Sequence, residues 1–229
     1  MVSKLQKIGF YGNPYIGLFM KSNSKITLMP INKPEKFSRV CEILGTVDIS
    51  VNIFGSPLTG LYSVMNDKGI LFSKVILEEE LNLVKRKIKE TGIDINVEIL
   101  DTEFTAISNN LVVNNKKCII NPKMKDKNLV KTIRDVLDVE VESLQLEKFN
   151  VIGSVVFAND NGFVAHPNLN NNELDMIENF LEIKGGVSTA NGGVPFVSLC
   201  LVGNNHSVIF GEATTAFEQQ RIIESLGFM

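Results

Sequence analysis

A pattern of about 45 residues recurs five times along this chain, and it constrains the fold more than any other feature of the sequence. Polar, turn-forming segments stand at Ser22-Asn23-Ser24, Asn66-Asp67-Lys68-Gly69, Asn114-Asn115-Lys116, Asn159-Asp160-Asn161-Gly162 and Gly203-Asn204-Asn205. Measured from Asn23, Asp67, Asn115, Asp160 and Asn204, the separations are 44, 48, 45 and 44 residues. A fixed period of this size predicts a repeat architecture, in which each unit buries its apolar face against its neighbour.

The stretch 151–181 shows the plan of one unit. An apolar run, Gly153 to Ala158, leads into the turn Asn159–Gly162, and a second apolar run follows at 163–165. Because an Asn-Gly pair favours positive φ at both central positions of a turn, the segment predicts a β-hairpin. A polar loop and then a helical pattern come next.

Helical patterns follow the hairpin in every copy. Asn170 or Asn171 is expected to cap the fourth helix, while Pro34, Gly45 and Gly92 mark the ends of the first two. The apolar positions that define the helices are Phe37, Val40 and Leu44; Leu77, Leu81, Val84 and Ile88; Leu129, Ile133 and Val136; Leu174, Ile177, Phe180 and Leu181; and a less regular set within 216–226.

A third strand follows the helix in most copies. The alternating apolar sets are Val47, Ile49, Val51 and Ile53; Ile93, Ile95, Val97 and Ile99; and Val139, Val141 and Leu144. Their first members are 46 residues apart each time, and period-two alternation predicts strands with one buried face. The repeating unit is therefore ββαβ, which places the chain in the α/β class.

The five units fill the chain without a Pro/Gly/Ser-rich linker, so we expect a single domain over 1–229. The expected units are 11–54, 55–103, 104–148, 149–192 and 193–229, the last completed by 1–10. An open solenoid needs polar capping repeats, and neither end of the chain supplies one. Closure into a ring avoids exposed edges. Since the sequence stops directly after the fifth helix, Lys4 to Phe10 is expected to provide the missing third strand.

The charge balance bears on the kind of partner. The formal net charge is −3, and the one dense basic segment is Lys85-Arg86-Lys87 with Lys89. The acidic run Glu78-Glu79-Glu80 precedes it on the same predicted helix, as the helix dipole favours, so we interpret the segment as a solvated helix face. We therefore expect no DNA partner, and an acidic protein can instead complement a basic protein partner.

The expected cellular compartment follows from the lack of a signal peptide and of a run long enough to span a membrane. Residues 1–10 lack the apolar stretch of a signal peptide, and the longest apolar run, 151–158, is too short to span a bilayer. Cys41, Cys118 and Cys200 have neither disulfide nor metal-ligand spacing. We expect a monomeric cytoplasmic protein without a membrane association, with the three cysteines in core packing.

Catalytic chemistry has little support in the sequence. His166 and His206 are the only histidines, both in turn segments, and no metal or nucleotide motif occurs, so no cofactor is expected. A Cys–His enzyme is the alternative, with Cys200 as nucleophile. However, Cys200 lies in an apparent strand, 196–202, whereas catalytic cysteines usually occupy exposed, electropositive surroundings. We expect no enzymatic activity.

Six short stretches, in order along the chain, resemble the translation initiation factor six family, the ribosome anti-association factors of archaea and eukaryotes. They are Asn13-Pro14-Tyr15-Ile16-Gly17; Ile53 to Gly60 with Asn66 and Gly69; Thr105-Ala106-Ile107-Ser108-Asn109; Gly162 to Pro167; Thr189-Ala190-Asn191-Gly192-Gly193; and Thr214-Thr215 with Glu218 and Leu226-Gly227. The chain departs from the family pattern at Ser108, Ala213 and Gln219. The lack of a tail after the last helix resembles the archaeal type.

The resemblance implies a pentein fold, a closed ring of five ββαβ units around a pseudo-five-fold axis. It also implies binding to the large ribosomal subunit at its intersubunit face, which prevents joining with the small subunit, and a part in large-subunit biogenesis. The implied contacts are an L14-type ribosomal protein and rRNA near the sarcin-ricin loop. A eukaryotic source would add a nuclear or nucleolar location. The runner-up is a guanidino-modifying enzyme, because such enzymes share the pentein fold.

In such a ring the segments that start each unit meet around the axis at one end, and we expect the ribosome-binding residues there. They are Asn13, Gly55, Leu58, Gly60, Leu61, Asn109, Asn110, Gly153, Ser154, Asn191 and Gly193. The glycines have two interpretations, relief of backbone crowding or an open surface for a flat partner. For Asn109 on its loop, binding is the favoured interpretation.

Overall fold

A computed structural model describes residues 7–228, which form fifteen short strands and six α-helices. After β1 (Lys7–Ile8), the first unit contains β2 (Lys21–Ser22), β3 (Ile26–Met29), α1 (Ser38–Leu44) and β4 (Val47–Ser50). The second contains β5 (Ser63–Met65), β6 (Gly69–Ser73), α2 (Glu78–Thr91) and β7 (Asn96–Leu100), and the third β8 (Leu111–Val113), β9 (Lys117–Ile120), α3 (Lys127–Leu137) and β10 (Glu140–Ser143). The fourth contains α4 (Ile152–Val155), β11 (Val156–Ala158), β12 (Phe163–Ala165), α5 (Asn171–Leu181) and β13 (Gly185–Val187), and the fifth β14 (Leu201–Gly203), β15 (Val208–Gly211) and α6 (Ala216–Ser225).

The strands form five three-stranded sheets with one topology. In each sheet the second strand of the hairpin lies in the middle, antiparallel to the first strand and parallel to the third. In the first four units the helix connects the two parallel strands, as is usual for a parallel pair. The prediction of an α/β chain of five ββαβ units is confirmed.

The fifth sheet takes its third strand from the beginning of the chain. β1 runs parallel to β15, with Lys7 opposite Phe210 and Ile8 opposite Gly211. The rest of the segment assigned to this strand, Lys4 to Gln6, lies outside the described residues. The pairing joins the two ends of the chain in one sheet, so the fifth unit has the same three strands as the others.

The first strands lie side by side around the axis. β2 contacts β5, β5 contacts β8, β8 contacts β11, and β14 contacts β2. Each of five hydrophobic clusters is shared between consecutive units; for example, Leu81 and Val84 of α2 pack with Ile26 and Leu28 of the first sheet. A unit alone would leave its helix without this second sheet, so the core exists only in the assembled ring.

Helix termini follow the sequence signals. Asn170 caps α5, accepting a hydrogen bond from the backbone of Glu173. Gly45 and Gly92 end α1 and α2 with φ of 68° and 72°, where a glycine avoids the strain of the left-handed region. Pro34 precedes a short 3-10 turn, Glu35–Phe37, that leads into α1.

Three local predictions were wrong. The turn 159–162 has no positive φ at Asn161 or Gly162, because the side chain of Asn159 closes it instead. The runs that begin at Gly153 and Phe196 start as helical turns, Ile152–Val155 and Val197–Cys200, before their strands. Leu144 faces the opposite side of its sheet from Val139, since it falls out of the two-residue period.

In the part of the chain from 7 to 228, no helix has the length and apolar character that crossing a membrane requires.

Candidate functional site

One end of the ring, which we call the asparagine end, contains the five hairpin turns. Each turn begins with a buried asparagine whose Oδ1 accepts hydrogen bonds from the backbone N–H groups two and three residues later. The five are Asn23, Asn66, Asn114, Asn159 and Asn204, so the equivalent positions are 43, 48, 45 and 45 residues apart rather than the predicted spacing. The polar turns are thus structural elements that repeat with the fold.

The amides of these asparagines link one unit to the next. Nδ2 of Asn23 donates to the carbonyl of Asn66 (2.6 Å), and that of Asn66 to the carbonyl of Asn114 (3.1 Å). Nδ2 of Asn204 donates to the carbonyl of Asn23 (3.1 Å) and that of Asn159 to the carbonyl of Asn204 (3.4 Å). The third and fourth units are joined instead by the backbone N–H of Asn115, which donates to Oδ1 of Asp160 (2.8 Å). Because buried polar groups are costly unless paired, these bonds fix the relative position of the units.

The opposite end, which we call the junction end, is where the chain passes from one unit to the next. It comprises residues 13–18, 55–61, 106–110, 151–155 and 193–200. A Cβ on Gly17, Gly60 or Gly153 would lie 2.1–2.3 Å from a backbone oxygen of a neighbouring unit. Ser108 and Ser198, both buried, occupy the equivalent positions in the other two units. Close packing of five backbones therefore accounts for these small residues.

The predicted binding residues separate into three groups by exposure. Gly55 and Gly193 are exposed, while Asn13, Leu58, Leu61 and Asn109 are half-buried. The remaining five, Gly60, Asn110, Gly153, Ser154 and Asn191, are buried. Asn110 bonds to Asn121 and to the carbonyl of Ala106, and Asn191 bonds to the carbonyl of Pro14. The buried members support the junction end from within, and only the first six reach its surface.

Asn109 differs from the other asparagines of the ring. Its Oδ1 is buried and has no hydrogen-bond partner among the described residues. Asn109 lies at the end of the 3-10 turn Ile107–Asn109, close to the backbone of Gly153. A buried polar atom without a partner is rare in native proteins and is commonly explained by a water or a ligand.

Sequence analysis missed two exposed aromatic residues at the junction end. Tyr11 and Phe54 are 70% and 67% exposed and occupy equivalent positions in two adjacent turns, each followed by a glycine. Both have positive φ, 49° and 54°, which is unusual for bulky residues. The carboxylate of Glu80 accepts hydrogen bonds from the N–H groups of Phe54 and Gly55 (2.7 and 2.8 Å) and holds the second turn in place. The signal was an aromatic-glycine pair directly after the segment of a third strand.

A narrow channel of about 90 Å³ is lined by the first strands of all five units. Lys21 lies in its wall, at the position occupied by valine or phenylalanine in the other four units. Its ammonium has no hydrogen bond or ion pair within residues 7–228. Burial lowers the pKa of Lys21 from 10.5 to about 8.

The geometry disfavours a Cys200–His166 catalytic pair. Cys200 is buried, its Sγ contacts the carbonyl of Phe196 at 3.7 Å, and burial raises the pKa of the thiol to about 12. Nδ1 of His166 accepts a hydrogen bond from Asn168, and its ring packs against Phe149. Burial lowers the pKa of His166. A thiol with a raised pKa is a poor nucleophile at neutral pH. No group of three or more potential metal-ligating His, Cys, Asp or Glu side chains occurs in the described part of the chain.

The five ββαβ units, joined through the pairing of β1 with β15, place the chain in the class of five-fold repeat-ring proteins. The chain belongs to the eIF-6 family, whose family model matches residues 5–225. This family has the pentein fold and consists of translation initiation factors, not enzymes.

Curated relatives match along the whole length. Translation initiation factor 6 of Methanocaldococcus jannaschii is 34% identical over 222 residues, which is 96% of this chain and 96% of the relative. Those of Thermococcus onnurineus and Pyrobaculum arsenaticum are 30% and 31% identical over 98% and 96% of this chain, and over 99% and 97% of their own lengths. Among solved structures, an agmatine deiminase of C. jejuni has a TM-score of 0.37 at 18% identity, covering 58% of this chain and 51% of its own, which is too distant to support an argument. A role in translation initiation and protein biosynthesis follows from the family.

Proposed function

We propose that this protein binds the large ribosomal subunit through its junction end and prevents the subunit from joining the small one. The names of the relatives support a role in initiation, and a ring that covers an intersubunit surface would block joining by occupying it. Contacts with an L14-type ribosomal protein and with rRNA near the sarcin-ricin loop, a part in large-subunit biogenesis, and monomeric action in the cytoplasm belong to the same proposal.

The choice of the junction end as the binding surface rests on the side chain of Asn109. Its Oδ1 is buried without a partner, and its side-chain amide makes no hydrogen bond in the described chain. Nδ2 of the same side chain also has no partner among these residues and is not fully buried, so an acceptor on the ribosome would pair with it on binding. The exposed Tyr11 and Phe54 add apolar area on the same end of the ring, where aromatic residues are typical of binding hot spots.

The net charge of this protein favours a contact with a protein of the subunit over contacts with many phosphates. The net charge is −3, and a protein that neutralises six to ten phosphates loses roughly 10³- to 10⁵-fold in affinity between 50 and 200 mM salt. We expect the affinity of this protein for large subunits to fall by less than about tenfold over that range. A much steeper salt dependence would contradict a protein-centred contact.

The test is a subunit-joining assay, in which purified large and small subunits are mixed with increasing factor and separated by sedimentation. We expect joining to fall with wild-type protein and to be restored with Asn109→Glu, because the substitution puts an unpaired charge into a desolvated contact. Asn109→Ala is the gentler variant; it removes no internal hydrogen bond, so its thermal midpoint should stay close to that of the wild type.

Asn82→Glu is the matched control, since Asn82 is exposed on α2 and is not one of the residues that make up the junction end. It should block joining as well as the wild type does. Joining that is unchanged at saturating wild-type factor would refute the function. A folded Asn109→Glu as potent as Asn82→Glu would refute the surface.

A further inference from the structure

On the side of the ring, between the third unit and the helix of the fourth, lies a cleft of about 410 Å³. Its apolar walls come from Ile119 of β9, from Leu144 directly after β10, and from Met176 and Phe180 of α5. Met176 is 49% exposed, which is unusual for a methionine on a packed helix. A volume of this size falls in the range of about 300–1,000 Å³ that is typical of ligand pockets.

The strand register explains why the cleft exists. Glu140 pairs with Lys117 and Glu142 with Ile119, so both glutamates lie on the sheet face that α5 covers. In the first unit the equivalent positions are Val47 and Ile49, and Ile49 is buried against α2. Carboxylates cannot be buried in this way without a partner. The second unit has a carboxylate at only one of the two positions, Glu98, whereas the third has both, and this pair distinguishes the outer edge of the third sheet.

One end of the cleft already binds a cation of the protein itself. Nζ of Lys117 bonds to Glu140 at 2.5 Å, lies 3.4 Å from Glu182, and stands 5.3 Å from the centre of the Phe180 ring. A carboxylate and an aromatic face are a favourable pair for an ammonium or a guanidinium. Glu142, the second carboxylate of the cleft, is exposed and has no ion pair or hydrogen bond in the part of the chain that the structure describes.

Beside the cleft, β10 is the outer strand of its sheet and pairs only with β9 among the described strands. An outer strand offers backbone groups to an added extended segment, and alternate side chains of that segment then point toward the same sheet face. We propose that the cleft binds an arginine or lysine side chain from an extended segment of a basic protein, with Glu142 as its counter-ion and Met176 against its aliphatic stem. This site lies on the side of the ring and is separate from the junction end.

The test is an NMR titration of the full-length, ¹⁵N-labelled protein with an acetylated, amidated hexapeptide of alternating arginine and valine. We expect shifts in the amide signals of 140–144 and 176–180, and none with the same peptide carrying glutamate for arginine. Glu142→Gln should raise the Kd about two- to fivefold, because an ion pair to an exposed carboxylate contributes modestly. The fold and the Lys117–Glu140 pair should be unaffected, since Glu142 bonds to neither.

Glu98→Gln is the matched control, because Glu98 holds the same register position in the second unit, opposite Leu71. It should bind the peptide as the wild type does. Equal Kd values for Glu142→Gln and Glu98→Gln, binding of the glutamate peptide, or shifts confined to the junction end would each overturn the proposal. Glu142→Gln should still block subunit joining, so failure of the cleft is distinguishable from failure of the proposed function.

Discussion

Lys21 tests whether an unpaired charge in the channel wall lowers the stability of the ring. It stands in the first strand of the first unit, where the other units have Val64, Val112, Phe157 and Val202. A charged ammonium at an apolar position without a counter-ion is a cost to the fold. We therefore expect Lys21→Met, which keeps the length of the side chain and removes the charge, to stabilise the protein.

The magnitude follows from the pKa. In the folded protein burial lowers the pKa of Lys21 from 10.5 to about 8. Since each pKa unit corresponds to about 1.4 kcal/mol, holding this lysine protonated costs up to about 3 kcal/mol. Lys21 is half-buried and keeps some contact with water, so we expect Lys21→Met to gain about 1–3 kcal/mol in free energy of unfolding at pH 7.

The contribution of Lys21 to the free energy of unfolding should change with pH in a definite direction. Between pH 8 and 10.5 the unfolded chain binds a proton at Lys21 that the folded chain does not, so the stability contribution of this residue rises with pH. Below pH 8 both states are protonated and the full cost remains. The advantage of Lys21→Met over the wild type should therefore be constant below pH 8 and shrink toward pH 10.5.

Urea unfolding followed by far-UV circular dichroism at pH 7 and pH 10 measures both effects. Lys68→Met is the control, because Lys68 is exposed in the turn of the second unit; its free energy of unfolding should change by less than about 0.5 kcal/mol at either pH. If Lys21→Met were no more stable than the wild type at pH 7, or if its advantage were the same at both values, the ammonium would not be desolvated as argued.

Two further predictions concern buried groups. Asn66→Ala should lower the free energy of unfolding by about 3 kcal/mol or more, because it removes the bonds to the carbonyls of Asn114 and Leu137 (3.1 and 2.7 Å) and opens the turn; urea unfolding measures this, and a loss below about 1 kcal/mol would contradict the linking role. Cys200→Ala should leave the block of subunit joining intact while lowering the thermal midpoint, since the thiol only fills the core; turnover of a guanidino substrate that disappears in this variant would instead support the enzyme alternative.

The repeat could be predicted from the sequence because two of its parts leave strong periodic signals. The third strands alternate with a period of two, and Gly45 and Gly92 mark helix ends that the structure reproduces with left-handed φ. The short helical turns 152–155 and 197–200 could not be predicted, since a run of buried apolar residues has the same composition in a strand and in a single helical turn.

The binding surface was harder to predict than the fold. Exposure depends on how five units meet, and no local pattern shows that Gly60 is enclosed by the backbone of Gly17 and Met20 while Gly55 is exposed. The charge pattern of the sequence also gave no indication of the cleft between the third unit and α5. Glu140 and Glu142 alternate with valines as in any half-exposed strand, and only the register against β9 shows that they face a helix.

The comparison of the five units also separates what holds the ring from what gives it a function. The turn asparagines and the small residues at Gly17, Gly60 and Gly153 recur because every unit must meet its neighbour in the same way. A partner without five-fold symmetry can be recognised only by residues that do not recur, since an equal set of contacts would allow five orientations. Tyr11 and Phe54 on two adjacent turns, and the unpaired Asn109, break the symmetry of the junction end. Substitutions at recurring positions should therefore act on stability, and those at the unique positions on binding.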